Sequence, residues 1–156
     1  MPVILSEPKA SIFEQNANIL VNPVNTQGTM GKGLARQFAK KYPLIVPIYK
    51  EACAKGNLVP GSAYIMNMDE LGIKTDHVDH IVLFTSKGDW RNASRLCWIK
   101  SGLHMLAQRC NDYFKSEDVV AIPKIGAGLG GLKEDDVIRM IQSELEFVPQ
   151  KVILCV

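Results

Sequence analysis

No hydrophobic run in the sequence approaches the ~20 residues that a membrane-spanning helix needs, and the opening MPVILSEPKA puts no basic segment ahead of a long apolar one. The expectation is a cytoplasmic protein with no membrane partner. Paired cysteine is lacking as well. Cys53, Cys97, Cys110 and Cys155 stand singly with no C-x-x-C, which argues against a disulfide frame or a zinc site and fits reduced thiols that fill a core. The 3 histidines show no metalloprotease spacing. Asp76, His77, Asp79 and His80 read as a polar loop ahead of an apolar strand rather than as ligands, so neither a metal nor any cofactor is expected. An excess of one charge is also missing: 18 basic against 16 acidic residues leave a net charge of +2, too balanced for non-specific nucleic-acid binding through overall charge. There is no internal repeat, low-complexity tract or linker. At 156 residues and 47% apolar, one compact domain over 1–156 is expected, burying roughly 70% of its unfolded surface. A two-domain enzyme with separate cofactor and substrate halves is argued against.

What is present alternates. Short apolar, largely β-branched runs at 3–5, 19–22, 63–66, 81–85, 119–122 and 152–155 are separated by stretches with helical spacing at 34–41, 45–55, 96–113 and 136–147. Continuous apolar strands between amphipathic helices predict an α/β chain with a mixed, largely parallel central sheet covered on both faces. Such sheets bind ligands beyond the carboxyl ends of their strands.

Three of those ends carry unusual chemistry. After 19–21 comes Asn22-Pro-Val-Asn25-Thr-Gln-Gly28-Thr-Met30-Gly31-Lys32-Gly33, followed by a helix at Leu34. Three glycines between strand and helix let main-chain amides turn toward a phosphate or sugar at a positive helix end, although a tight turn alone also needs glycine. The spacing is not that of a nucleotide-triphosphatase P-loop, and Gly33 stands where the magnesium-binding hydroxyl belongs. After 119–123 comes Lys124-Ile125-Gly126-Ala127-Gly128-Leu129-Gly130-Gly131. Formally this fits G-x-G-x-x-G, but it lies late in the chain and no acidic residue ends a following strand, which argues against a dinucleotide fold. Its exposed amides still make an anion nest. Two such loops point to a diphosphate flanked by sugars. The third end reads Phe84-Thr85-Ser86-Lys87-Gly88-Asp89-Trp90-Arg91. Lys87 is either a solvated loop residue or a functional amine sharing the sheet edge with the two glycine loops.

Together, VNPVNTQGTMGKGLARQFAKKYP, FTSKGDWRNASRL and IPKIGAGLGGL resemble the macrodomain family, and more narrowly its branch of DNA ADP-ribosyl glycohydrolase antitoxins (DarG type) and terminal ADP-ribose glycohydrolases. The resemblance implies a three-layer α/β/α sandwich that binds ADP-ribose or an ADP-ribosylated macromolecule, as a stand-alone, monomeric macrodomain. It makes Asn25 the residue that holds the distal ribose and Lys87 the catalytic lysine. It lets Gly31 and Gly33 bring the first loop close to that sugar, and has Gly126, Ala127, Gly128, Leu129 and Gly130 wrap the diphosphate. Met30, Lys32, Leu34, Thr85, Ser86 and Ile125 follow as further ligand-binding positions. Trp90, Arg91 and Ser94 match the branch pattern and read equally well as packing and helix-start residues.

Two departures stand out. Where macrodomains usually place Gly-Asp to contact adenine, this chain has Ala10-Ser11-Ile12-Phe13, so Ser11 and Ile12 occupy the base-binding position without a charge. Where the human relative has an aspartate in the second loop, this chain has Gly130, as the DNA-type branch does. Lys87 is then the single strong catalytic candidate. A lysine with a pKa lowered by burial can attack the anomeric carbon or the ribose aldehyde; a protonated one stabilises the leaving group. The leading expectation is a metal-independent hydrolase removing ADP-ribose from a DNA base or a protein carboxylate. An ADP-ribose-1″-phosphate phosphatase and a non-catalytic ADP-ribose reader are the alternatives. With DNA as substrate, Lys32, Lys40, Lys41, Arg91, Arg95 and Lys100 are the basic candidates for phosphate contacts.

Overall fold

The computed structural model describes residues 2–89 and 91–156; Met1 and Trp90 lie outside the described residues. The strands β1 (Ile4–Leu5), β2 (Ile19–Val24), β3 (Ala63–Asn67), β4 (His80–Thr85), β5 (Val119–Pro123) and β6 (Lys151–Cys155) form one sheet in the order β1-β6-β5-β2-β4-β3. Every neighbouring pair is parallel except β3 with β4. The sheet is therefore mixed and largely parallel, as the pattern of apolar runs predicts.

Side chains alternate across each strand, and both faces are covered. Leu20 and Val24 of β2 pack with Phe38 of α1 (Gly33–Lys41) and with Ile45 and Tyr49 of α2 (Ile45–Ala54). Ile19 and Val21 face the other way, toward Ile99 and Leu103 of α3 (Leu96–Asp112) and Val137 and Ile141 of α4 (Glu134–Leu145). This is the three-layer α/β/α sandwich. Pro47 sits in the first turn of α2, where a missing N–H leaves no helical bond unmade. Gly102 lets α3 lie directly on β4: a Cβ there would stand 2.3 Å from the Phe84 ring.

The last helix corrects the sequence reading. It spans Glu134–Leu145 rather than 136–147, with Glu134, Asp135 and Asp136 in its first turn and Phe147 86% exposed beyond its end. The start is the one that three acids in a row predict from the sequence, since they complement a positive helix end; the correction lies at the other end, where a surface phenylalanine carries no core-facing period. The polar run before β4 is used internally: Asp79 accepts from Asn18 Nδ2 at 2.8 Å, and His80 packs edge-on against Tyr113 and Phe114.

Candidate functional site

A proline opens the site. Ser86 N–H donates to the main-chain oxygen of Val24 at 3.0 Å, so Val24 faces β4 with its polar groups. Strand alternation then turns the main chain of Pro23 toward β5, where it has no N–H to give. The β2–β5 pairing accordingly ends at Leu20–Ala121, while β2 continues alongside β4 to Val24–Thr85. Beyond that parting lies a cavity of about 800 Å³, lined by Pro23 on one side and Pro123 on the other. A volume of this size is in the range of pockets that hold drug-sized ligands.

The loop after β2 forms one wall. Asn25 is 6% exposed, and its carboxamide is held by the surrounding protein. Nδ2 donates to the carbonyl oxygen and Oγ1 of Thr29 at 3.0 and 3.1 Å. Oδ1 accepts from Gln27 N–H at 2.9 Å and lies 2.8 Å from the Tyr49 hydroxyl. Gly33, with φ of 60°, opens α1. That helix has no side-chain cap on its first turn and no acidic residue in it, so its leading N–H groups face the cavity beside Lys32, Leu34 and Ala35. Such an end favours an anionic ligand.

Lys87 leaves β4 on the neighbouring wall, next to Ser86. The two walls are joined: Thr26 N–H donates to Gly88 O at 3.0 Å, and Gln27 Nε2 donates to Asp89 Oδ2 at 3.2 Å. Asp89 also takes the Arg91 guanidinium at 2.7 and 3.0 Å and the Arg91 N–H at 2.9 Å, which holds its carboxyl well below the usual carboxylate range. Lys87 has no ion-pair partner among the described residues. Burial lowers its pKa, because removing water disfavours the ammonium form.

The loop after β5 closes the third side. Gly126, with φ of 84°, receives the Leu132 N–H on its carbonyl at 2.9 Å. A 3-10 turn at Gly128–Gly130 follows, ended by Gly131 at φ of 79°. From its crest Leu129, 67% exposed, reaches the first loop: a Cβ on Gly33 would stand 3.0 Å from Leu129 Cδ1. Lys124 is ion-paired with Glu134. The cavity lining includes Lys32, Lys87, Arg91 and Lys124 and no aspartate or glutamate among the described residues.

Most of the residues expected from the sequence meet here: Asn25, Gly31, Lys32, Gly33, Leu34, Ser86, Lys87, Gly126, Ala127, Leu129 and Gly130 line the large cavity. Ser11, Ile12 and Gly128 line a smaller one of about 500 Å³, which shares Leu34, Pro123, Lys124 and Ala127 with it. Ser11 Oγ there accepts from Phe13 N–H at 3.2 Å, capping a 3-10 turn at Ile12–Glu14. Met30, Thr85 and Ile125, also expected at the ligand, line neither cavity. Met30 and Ile125 are buried in the two apolar layers, and Thr85 is fully buried with its hydroxyl 3.4 Å from Ser62 Oγ. Trp90 lies outside the described residues. Ser94 is buried against the second loop, its hydroxyl without a hydrogen-bond partner among the described residues. The sequence reading passed over Thr29, Pro23, Pro123 and Gln37, which line one cavity or the other. Paired prolines ending two apolar runs were the available signal.

The profile of the Macro domain family matches residues 21–141. A protein of Mycobacterium tuberculosis named DNA ADP-ribosyl glycohydrolase is 33% identical over 138 residues, 88% of this chain but only 38% of that protein. The chain thus spans little more than a third of that relative's length. Among solved structures, the macrodomain of Mycobacterium tuberculosis DarG superposes with a TM-score of 0.87 at 28% identity, covering 98% of this chain and 97% of that one. A structure of Thermosipho africanus DarTG in complex with ADP-ribose gives 0.82 at 27% identity, covering 99% of this chain and 43% of that one.

Proposed function

The chain belongs to the macrodomain family, and from that premise we propose that it binds ADP-ribose and hydrolytically releases it from a modified macromolecule, a DNA base or a protein carboxylate, without a metal ion. The observation that carries the reading is the position of Lys87. An amine with no ion-pair partner, its pKa lowered by burial, lines the same cavity as an uncapped helix N-terminus and a glycine loop.

The ligand's parts fit the chemistry of the walls. The diphosphate lies at the N-terminus of α1 and along the amides of residues 126–131, with Lys32 supplying positive charge. The adenine extends into the smaller cavity, against Ser11 and Ile12. The distal ribose then lies between the loop of Asn25 and the side chain of Lys87. A lowered pKa raises the fraction of neutral amine, which supports the nucleophilic role. The Nζ lone pair attacks the anomeric carbon, whose bond to the base or carboxylate breaks with the electron pair going to the leaving group. The proton lost from Nζ balances the charge on that group, and water then displaces the lysine to free ADP-ribose.

The test is turnover of ADP-ribosylated thymidine DNA, a glutamate-linked protein and ADP-ribose-1″-phosphate side by side. Release of ADP-ribose from one of the first two, lost in Lys87→Ala, is the expected result. Full activity in Lys87→Ala would overturn the lysine mechanism. Phosphate release alone would make the protein a phosphatase, and ADP-ribose binding without turnover would make it a reader.

A further inference from the structure

We propose that Glu134, the first residue of α4, holds the adenosine ribose by its 2′- and 3′-hydroxyls and so selects against a ligand phosphorylated on the 2′-oxygen; this rests on the ADP-ribose reading above. The starting point is how the two cavities meet. With the base against Ser11 and Ile12 in the smaller one and the diphosphate in the larger, the ribose that joins them passes along the wall the cavities share. Leu34, Pro123, Lys124 and Ala127 make that wall. Its one charged group, the Lys124 ammonium, is ion-paired with Oε1 of Glu134, and Glu134 lines the smaller cavity. The ion pair therefore stands where the ribose crosses.

Glu134 is the one acidic residue in the lining of either cavity among the described residues. A carboxylate beside the diphosphate would repel it, and the large cavity has none. A carboxylate beside a vicinal diol accepts a charge-assisted hydrogen bond from each hydroxyl. Lys124 occupies one lone pair of Oε1, and Oε2 has no partner among the described residues, so both oxygens can still accept. The fold fixes the place of this carboxylate. Leu132 N–H donates to Gly126 O at 2.9 Å, which ties the start of α4 back to the end of β5 and sets Glu134 beside Lys124, 10 positions earlier. In dinucleotide-binding folds an acidic side chain reads the same diol; here it comes from the helix that follows a glycine loop. A phosphate on the 2′-oxygen removes one donor and puts its negative charge against the carboxylate.

The experiment is calorimetric titration of wild type, Glu134→Gln and Asp135→Asn with three ligands: ADP-ribose, its analogue lacking the adenosine 2′-hydroxyl, and its analogue phosphorylated there. The readout is the ratio of affinities within each protein, because freeing Lys124 from its ion pair would strengthen binding of every diphosphate alike. Wild type should bind the 2′-deoxy analogue about 10-fold more weakly than ADP-ribose, the low end for a hydrogen bond to a charged group because the Glu134 side chain is 56% exposed. It should bind the 2′-phosphorylated analogue at least as weakly. In Glu134→Gln the deoxy penalty should shrink to about 3-fold, the size of a neutral hydrogen bond, and the phosphorylated analogue should bind as well as ADP-ribose, since the freed Lys124 then faces the added phosphate. Asp135 is in the same helical turn and lines neither cavity, so Asp135→Asn should keep the wild-type ratios. Equal wild-type affinity for the three ligands, unchanged ratios in Glu134→Gln, or the same change in Asp135→Asn overturns the proposal and leaves the ADP-ribose reading standing. Wild-type protein that binds none of the three overturns that reading and the proposal with it.

Discussion

The N–H of Ser94 donates to the carbonyl oxygen of Gly130 at 2.9 Å, and a Cβ on Gly130 would stand 2.8 Å from Ser94 Oγ. The segment leading into α3 is thus pressed against the second glycine loop with no room for a side chain on the loop. Gly130→Ala should cost about 1–3 kcal/mol through overpacking and weaken ADP-ribose binding. Ser94→Ala removes the obstructing hydroxyl and should recover most of both losses in the double variant. By itself it should be neutral or slightly stabilising, since the buried Oγ has no partner among the described residues. Thermal unfolding with calorimetric binding checks all three; additive losses would refute the contact.

Lys87 links activity to stability through pH. Its folded-state pKa lies below the ordinary lysine value because of burial. The native state therefore holds fewer protons than the unfolded chain between that lowered pKa and about 10.5, and stability rises with pH across that window. Lys87→Met should raise the melting temperature at neutral pH while abolishing turnover. In wild type, the rate should climb with pH and level off as the amine becomes neutral. A melting temperature that falls in Lys87→Met, or a rate flat across that range, would contradict this account.

His80 is placed to act in the opposite region of the sheet. Both ring nitrogens are buried without hydrogen-bond partners among the described residues, and burial lowers its pKa, opposed in part by Asp118, Asp79 and Glu70. Fewer protons bind to the native state than to the unfolded chain below the ordinary value of about 6.5, so acidification toward the lowered pKa destabilises the fold. Replacing His80 by Phe keeps a ring against Tyr113 and Phe114. Melting temperatures from pH 7 down to 5 should fall less steeply in that variant than in wild type.

Gly102→Ala tests the contact that seats α3 on the sheet. With the Phe84 ring 2.3 Å from the new methyl group, the expected loss is roughly 1–3 kcal/mol in chemical denaturation. Phe84→Leu in the same chain should restore part of it; a gain in stability from Gly102→Ala alone would contradict the packing.

The elements and two of the three functional loops are legible in the residues alone. Each of the six expected strands forms within two residues of its apolar run; for the central strands this is because a strand buried on both faces must be apolar almost throughout. The glycine loops were legible for an equally local reason: positive φ at Gly33, Gly126, Gly128 and Gly131 is a conformation that other residues resist. The end of α4 was not legible, since Phe147 looks like a core residue until the structure exposes it. Only the tertiary structure decided strand order. It set β5 beside β2, let the prolines part them, and so brought residues 126–131 against the loop of Asn25. It also decided which polar groups meet. In sequence nothing ties Asn25 to Tyr49, 24 positions away, yet the fold sets that phenol 2.8 Å from its main-chain oxygen and its Oδ1. Local propensity is written into neighbouring residues, whereas hydrogen-bond pairing is settled by whatever the fold packs alongside.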